Sequence, residues 1–305
     1  MIHNDNEIKA FREQGITVIR RGDTEYPKRL ENLGNPPEVL YCKGNIRLLL
    51  RPSISIVGTR DCTRYGVDVA KRFARSFADS GLTVVSGLAD GIDAAAHVGA
   101  EPKNTIAVLG NGVNCYYPPG NRKLQEQIAA EGLLISEYLP NDKGQKYYFP
   151  QRNRIVAALS GALLIVEADL KSGTMITKDW ALDLGIDVYS VPGPVTSFAS
   201  RGTNNLIKTA ACAIATEPAD VLQAFGTTVK TPAADNDGTP FTKGGILQIS
   251  FEEKQILDIL GRDEVHIDEI VEKTAMPVRR LAVLLTQMEM SGLVQKLPGN
   301  TFAVK

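Results

Sequence analysis

The sequence predicts an α/β fold: a Rossmann-like, doubly wound, mostly parallel sheet followed by a small C-terminal winged-helix domain. From residue 51 to 226, apolar β-branched runs alternate with helical patterns. Strands that are apolar throughout are buried on both faces, and repeated strand-helix units build a parallel sheet. A second set of three helical patterns and a hairpin follows in residues 246–305. We therefore expect two domains, at 51–226 and 246–305.

Seven strand patterns occur in the first of these ranges. In chain order they read SISIVG, LTVVSG, TIAVLG, LLISEY, ALLIVEA, DVYSVPG and ACAIAT. A helical pattern follows each of them. In the same order these read YGVDVAKRFARSFADSG, GIDAAAHVGA, NRKLQEQIAA, RNRIVAALSG, TMITKDWALDLG, GTNNLIKTA and EPADVLQAF.

Two further segments flank the predicted sheet. Residues 1–50 hold a short strand (ITVIR), a turn of helix (YPKRLENL) and a second strand (EVLYCKG), and we expect them to form an extension that packs on the core. Residues 227–245 are rich in Thr, Pro, Gly and Asp and poor in large apolar groups. That composition predicts a flexible linker.

The C-terminal segment has the pattern of a winged helix-turn-helix. Its helices read FEEKQILDIL, HIDEIVEKTA and a third opened by Pro277, and GLVQKLPGNTFAV reads as two strands around a Pro-Gly turn. Arg279 and Arg280 near the start of the third helix could enter a duplex groove, but the acidic first two helices would repel phosphate. The pattern leaves open a protein contact or a weak duplex contact.

Composition excludes several classes of protein. The net charge of -1 and the pI of about 6.4 exclude a polycation that binds nucleic acid by total charge, so any anion site must be local. The four cysteines have no CxxC spacing, which argues against a disulfide framework or a zinc knuckle. No apolar run approaches the roughly 20 residues that span a bilayer. We expect a cytoplasmic protein without membrane contact.

Two glycine-containing loops are candidate phosphate sites, because ligands of such sheets bind beyond the carboxyl ends of the strands. The first, called the arginine loop here, is Gly58, Thr59 and Arg60. The second, called the serine turn, is Ser172, Gly173 and Thr174 at the start of a helix, where free backbone N–H groups attract anions. Two structural alternatives remain open: Ser172 or Thr174 only caps the helix, and Arg60 pairs with Glu137 or Glu167.

A third candidate is the segment 143–154, in which rings and cations are interleaved. Tyr147, Tyr148 and Phe149 stand among Lys143, Lys146, Arg152 and Arg154. Rings that stack on bases and cations that follow phosphates suit a single-stranded nucleic acid. We expect Arg152 and Arg154 near the first turn of a helix that begins at QRNR, with exposed guanidinium groups, and at least one of the three rings to be buried.

The sequence offers no catalytic, metal or cofactor site. His3, His97 and His266 have no neighbouring nucleophile pattern, and a helix histidine such as His97 is more often hydrogen-bonded within the fold. No spacing makes the strand-end carboxylates Glu137 and Glu167 into a metal site. The GNGVNC segment at 110–115 lacks the third small residue of a dinucleotide fingerprint, which argues against NAD. We expect no cofactor.

Six blocks, in this order and spacing, resemble the DNA processing protein A family (DprA, also called Smf). They read VGTR…YG, SGLADGIDAAAH, TIAVLGNGVNCYYP, FPQRNRIVAALSG, VEADLKSGTMIT and VPG…GTNNLI. The resemblance runs from about residue 15 to 225, and the family's winged helix also matches 246–305. The order and spacing of the six blocks together are far more specific than any one block alone.

The resemblance implies a non-enzymatic protein of natural transformation. Such proteins bind and protect incoming single-stranded DNA, load the recombinase RecA onto it, and act as homodimers. The motif positions that would contact DNA are Gly58, Thr59, Arg60, Phe149, Arg152, Asn153, Arg154, Ser172, Gly173 and Thr174. Some members carry a lysine after the Tyr-Pro of the third block, where this chain has Pro119; Arg122 and Lys123 follow, and whether they substitute is open.

The competing hypothesis is a nucleotide-processing enzyme. Related Rossmann-like folds include phosphoribohydrolases, which carry a PGGxGTxxE signature. In this chain the corresponding segment, SGTMITKD, has Lys178 and Asp179 after the turn in place of the glutamate of that signature. The sequence therefore favours a DNA-binding mediator over a phosphoribohydrolase-like enzyme.

Overall fold

The computed structural model describes residues 5–226, 251–261, 265–274, 276, 278–290, 293–297 and 299–304. The chain forms two compact units, Met1–Lys230 and Thr231–Lys305. The predicted linker, 227–245, lies outside the described residues. No helix in the described part of the chain is both long and apolar enough to cross a bilayer.

The first unit is built on a nine-stranded sheet. Its strands in chain order are β1 Ile16–Arg20, β2 Val39–Gly44, β3 Ser53–Val57, β4 Thr83–Ser86, β5 Thr105–Val108, β6 Leu133–Ser136, β7 Ala162–Ile165, β8 Asp187–Ser190 and β9 Ala213–Ile214. Across the sheet their order is β1-β2-β6-β5-β4-β3-β7-β8-β9. The strands from β3 to β9 all run parallel to one another, which confirms the predicted fold class of a mostly parallel sheet.

Eight helices accompany the sheet. They are α1 Asp5–Glu13, α2 Arg64–Asp79, α3 Ile92–Ala100, α4 Arg122–Glu131, α5 Tyr148–Ala158, α6 Thr174–Asp183, α7 Arg201–Lys208 and α8 Pro218–Leu222. One buried cluster joins Phe73 and Phe77 of α2 to Ile54 and Ile56 of β3. A second joins Ile155 of α5 to other strand residues. Side chains of the sheet are therefore covered on both faces, as uniformly apolar strands require.

The N-terminal segment is part of the sheet itself. Strands β1 and β2 pair antiparallel, and β2 pairs antiparallel with β6, with Tyr41 opposite Ser136. The predicted extension therefore lengthens the sheet at one edge instead of only packing on it. Tyr41 and Leu40 are buried there, so the added strands share the core.

The second unit has three helices and three short strands. They are α9 Phe251–Leu260, β10 Val265–His266, α10 Ile267–Thr274, α11 Val278–Met290, β11 Val294–Leu297 and β12 Thr301–Val304. The strands form an antiparallel sheet in the order β10-β12-β11. Leu260, Ile270, Leu281, Leu285 and Phe302 pack in its core. The predicted winged helix-turn-helix is confirmed; Arg280 is exposed on α11, and the side chain of Arg279 lies outside the described residues.

His97 of α3 is fully buried against β5. The Thr105 hydroxyl donates its proton to the Val84 carbonyl at 2.7 Å, so it accepts from His97 Nδ1 at 2.6 Å. His97 Nε2 is then unprotonated, and it has no hydrogen-bond partner among the described residues. Burial, together with the charge of Arg152, lowers the pKa of His97 to about 3. The imidazole is a neutral structural group.

We predict that His97 makes the fold sensitive to mild acid. The unfolded imidazole takes up a proton below about pH 6.5, whereas the folded one does not, so stability falls as pH falls through that value. Between about pH 7.5 and about pH 5 the loss is about 2 kcal/mol. Denaturant unfolding of the wild type and of His97→Gln measures it.

The variant should lose about 2 kcal/mol less than the wild type over that interval. Burial raises the pKa of Asp93, which gives the opposite pH dependence, but Asp93 is present in both proteins. Parallel pH profiles would contradict the assignment of His97 as a buried neutral group.

Candidate nucleic-acid interface

A cleft of about 440 Å³ opens at the carboxyl ends of β3, β4 and β7. From β3 the chain winds through β4 and β5 to one side, while β7, β8 and β9 extend to the other. The boundary between β3 and β7 is the topological switch point, where the loops diverge and leave a crevice. The fold itself therefore creates the site.

All of the predicted site residues except Arg154 line this cleft. They come from the arginine loop after β3, the start of α5 and the serine turn before α6. Residues remote in sequence are thus brought to one place. What each side chain can do there depends on its exposure and its partners.

The arginine loop is fixed by its backbone, and its side chain is free to reach a ligand. Thr59 N–H donates to the Glu167 carbonyl at 2.7 Å, and Ile92 N–H donates to the Thr59 carbonyl at 3.2 Å. Arg60 is exposed at the cleft. The Glu167 carboxylate accepts from Thr63 N–H and hydroxyl at 2.8 and 2.6 Å, and Arg154 pairs with Glu137. Arg60 pairs with neither carboxylate.

The serine turn combines a helix cap with a free donor. The Ser172 hydroxyl accepts from the N–H of Thr174, the first residue of α6, at 3.2 Å, while the N-cap position itself is Gly173. The Thr174 hydroxyl is bonded to Ser172 as well. Gly173 is exposed, and its N–H has no hydrogen-bond partner within the described ranges. The turn can therefore donate to an anion from Gly173 at the positive end of α6.

Arg152 does not lie on an exposed helix turn as predicted. Helix α5 begins at Tyr148, so Arg152 belongs to its second turn, and it is 4% exposed. Its Nη1 donates to the carbonyls of Gly87, at 2.6 Å, and Val108. Burial lowers the pKa of Arg152 to about 10, with Asp93 acting in the opposite direction. The guanidinium stays charged at neutral pH and forms the positive floor of the cleft.

The side chain beside it extends this arrangement. Asn153 is half-buried at the cleft, and its Oδ1 accepts from Arg152 Nε at 3.3 Å. The two bonds from Nη1 and the one from Nε leave Nη2 of Arg152 as the amino group that can serve a ligand. The floor is therefore a cation held in a fixed orientation, with one amide next to it.

Phe149 forms an aromatic wall above this floor. It is half-buried, and its ring lies 4.8 Å from the ring of Tyr117 at an angle of 44°. Beyond it, Tyr138 and Tyr148 stack at 3.8 Å, and Tyr147 is 52% exposed. The expectation that one ring of the segment 147–149 is buried is wrong, because α5 begins at the surface and turns only its later residues inward.

Arg154 does not lie at the cleft. Two residues apart on a helix, Arg152 and Arg154 point about 200° away from each other. Arg154 is buried and forms an ion pair with Glu137 on the other side of α5. The expectation that both arginines share one surface is wrong for this reason, and Arg154 anchors the helix instead.

Arg122 and Lys123 are the first two residues of α4. Arg122 donates to Glu126 at 2.9 Å and covers the ring of Tyr116 at 4.6 Å. Its guanidinium already has partners of its own. Lys123 is exposed on α4.

Comparison with known proteins agrees with this architecture. The model of the family described as DNA recombination-mediator protein A matches residues 17–226, and the model of the DprA winged helix domain matches residues 248–300. The chain belongs to the DprA family.

Relatives share both sequence and fold with this DprA-family chain. Protein Smf of Synechocystis sp. is 36% identical, with 97% of this chain and 82% of the relative covered. The crystal structure of DNA processing protein A from Streptococcus pneumoniae is 35% identical, with a TM-score of 0.66 over 72% of this chain and 78% of that one. DNA processing protein A from Helicobacter pylori, solved for its single-stranded DNA binding mode, is 33% identical, with a TM-score of 0.63 over 69% and 95%.

Two glycines of this DprA-family chain shape the site and were missed by sequence reasoning. A Cβ at Gly87 would lie 2.6 Å from Nη2 of Arg152. A Cβ at Gly110 would lie 2.6 Å from Cδ1 of Phe149. Gly87 directly follows β4 and Gly110 lies two residues after β5, which was the available signal, but the side chain that approaches each glycine comes from α5.

We predict that Gly87→Ala disturbs the floor of the cleft and lowers the free energy of unfolding by about 1–3 kcal/mol. The added methyl must displace a buried guanidinium that is bonded to Gly87 itself. Denaturant unfolding measures the loss. The control is Gly34→Ala, where a Cβ meets nothing within 4 Å; equal losses in the two variants would show that Arg152 is not held as described.

Proposed function

We propose that the chain binds single-stranded DNA in the cleft and acts as a recombination mediator in natural transformation. It protects incoming single strands and delivers them to the recombinase RecA. The observation that carries the proposal is the meeting, at one switch point, of an exposed arginine, a buried cationic floor, a backbone N–H and an aromatic wall. These groups suit sugar-phosphate and a base face, and none reads a base edge.

The aromatic ring at the cleft favours a single strand over a duplex. Phe149 presents a ring at the cleft, and a ring can stack only on a base that is not already stacked in a duplex. The serine turn and Arg60 line the same cleft, where a phosphate beside that base would pass. The relative from Helicobacter pylori, which binds single-stranded DNA, supports the same assignment.

We propose a binding protein and not an enzyme, because the buried acids near the cleft are already engaged. Asp93 accepts from the N–H groups of Gly87, at 3.1 Å, and Ala89. Glu167 accepts from Thr63, and His97 is sealed in the core. Among the described residues, no group of three or more His, Cys, Asp or Glu side chains could hold a metal ion. These observations support the mediator over the phosphoribohydrolase-like alternative.

Self-association and location complete the proposal. Homodimers are expected from the family resemblance, and the edge strand β9 leaves Ile214 49% exposed, so a copy of the chain could approach the sheet there. The winged helix would contact protein or duplex DNA weakly. A cytoplasmic location follows from the proposed work on DNA with RecA.

We predict that Arg60→Ala weakens binding of oligo-dT by about 10-fold to 100-fold, since it removes a charged hydrogen bond to phosphate. It should also flatten the slope of log affinity against log salt by about 0.7, the share of one single-strand phosphate. A salt titration followed by fluorescence anisotropy measures both quantities.

The matched control is Arg51→Ala. Arg51 is exposed like Arg60, but it precedes β3 and therefore lies at the amino ends of the parallel strands, away from the cleft. Its removal should leave affinity and slope unchanged. If both variants behave alike, or if the wild type binds duplex as well as single strand, the cleft is not the binding site.

A further inference from the structure

The loop between β8 and α7 carries an exposed aromatic ring that the cleft does not include. Phe198 is 72% exposed, and Val195 in the same loop is 90% exposed. Large apolar side chains at this exposure gain nothing for the fold. A ring held in a fixed orientation with an open face is, however, a surface on which a base can stack.

Phe198 is held in such an orientation. The guanidinium of Arg201 covers one side of the ring, with Cζ 4.5 Å from its centre. Arg201 in turn donates two bonds to the Asp169 carboxylate, at 2.9 and 3.0 Å. A paired fork of this kind fixes the plane of the guanidinium, and therefore of the ring that rests on it.

The same contacts place Phe198 next to the serine turn. Asp169, which orients Arg201, accepts through its carbonyl from Ser172 N–H at 3.0 Å. Gly202 N–H, at the start of α7, donates to the Ala168 carbonyl at 2.8 Å. Hydrogen bonds therefore connect the loops after β7 and β8. In the strand order, the end of β8 lies two strand spacings, roughly 10 Å, from the end of β3.

The charges around the ring also suit a polyanion. The backbone N–H of Leu170 lowers the pKa of Asp169 most, and Arg201 and Lys171 lower it further, so two cations face one acid in this patch. Lys171 is exposed between the ring and the serine turn. A protein partner would need a wider apolar surface, whereas a polynucleotide needs a ring followed by a phosphate contact.

We propose that Phe198 is a second base-stacking platform, which takes a nucleotide of the same single strand after it has passed the serine turn. This inference rests on the proposed function. The strand would stack one base near Phe149, cross the arginine loop and the serine turn, and stack a further base on Phe198. A short oligonucleotide fills the cleft alone, and only a longer one reaches the platform.

The test compares short and long oligo-dT, of about 4 and about 20 thymidines, on the full chain. Phe198→Ala should bind the short oligonucleotide like the wild type and the long one about 5-fold to 150-fold more weakly. Phe198→Trp should keep the long-strand affinity, and Phe198→Leu should lose it, because stacking requires a ring. Leu50→Ala, an equally exposed apolar site before β3, should change neither.

The outcomes separate this inference from the proposed function. If Arg60→Ala weakens both oligonucleotides while Phe198→Ala weakens neither, the platform is wrong and the cleft stands. If Arg60→Ala has no effect on the short one, the cleft assignment fails, whatever Phe198 does. Retained affinity for the long oligonucleotide in Phe198→Leu would also overturn the platform. A changed molecular mass of Phe198→Ala in light scattering would overturn it as well, and would indicate that Phe198 contacts another copy of the chain.

Discussion

The site depends on the buried guanidinium of Arg152. Its Nη1 bonds to the carbonyls of Gly87 and Val108 tie the second turn of α5 to the ends of β4 and β5. A charge-assisted hydrogen bond contributes about 1.5–3 kcal/mol, and breaking it would also leave buried carbonyls without a donor. This anchor sets the position of Phe149 one turn earlier and of Asn153 beside it. A single buried cation thus determines both the charge of the floor and the position of the aromatic wall.

The arginine loop of the cleft is held by a second buried group, Glu167. The Glu167 carbonyl holds the arginine loop through Thr59, while its carboxylate holds Thr63 at the start of α2. Because that acid is engaged by neutral donors, Arg60 remains exposed and without competition from it. The cleft therefore joins a buried cation in a fixed orientation with an exposed one. Such a pair can grip a phosphate chain without selecting a sequence.

The fold and most of the cleft could be predicted because their signals are local. The apolar runs from SISIVG to ACAIAT determine the strands, and the glycine loops after them determine the edge on which a ligand binds. The burial of Arg152 could not be predicted, since charged residues are seldom buried and its carbonyl partners stand 65 and 44 residues away. The interleaved pattern that grouped Arg152 with Arg154 ignored the helix period, which separates them. The contribution of β1 and β2 to the sheet likewise depends on a distant partner, β6.

The central claim is that one unpaired strand lies in the cleft at the switch point between β3 and β7. Photocrosslinking of thiothymidine-substituted oligo-dT to the full chain, followed by mass spectrometry of the adducts, tests it most directly. The account predicts adducts on Tyr117, Phe149 and the peptide that carries Ser172 to Thr174. Adducts confined to the amino ends of the parallel strands, around Arg51, or to the winged helix, would contradict it.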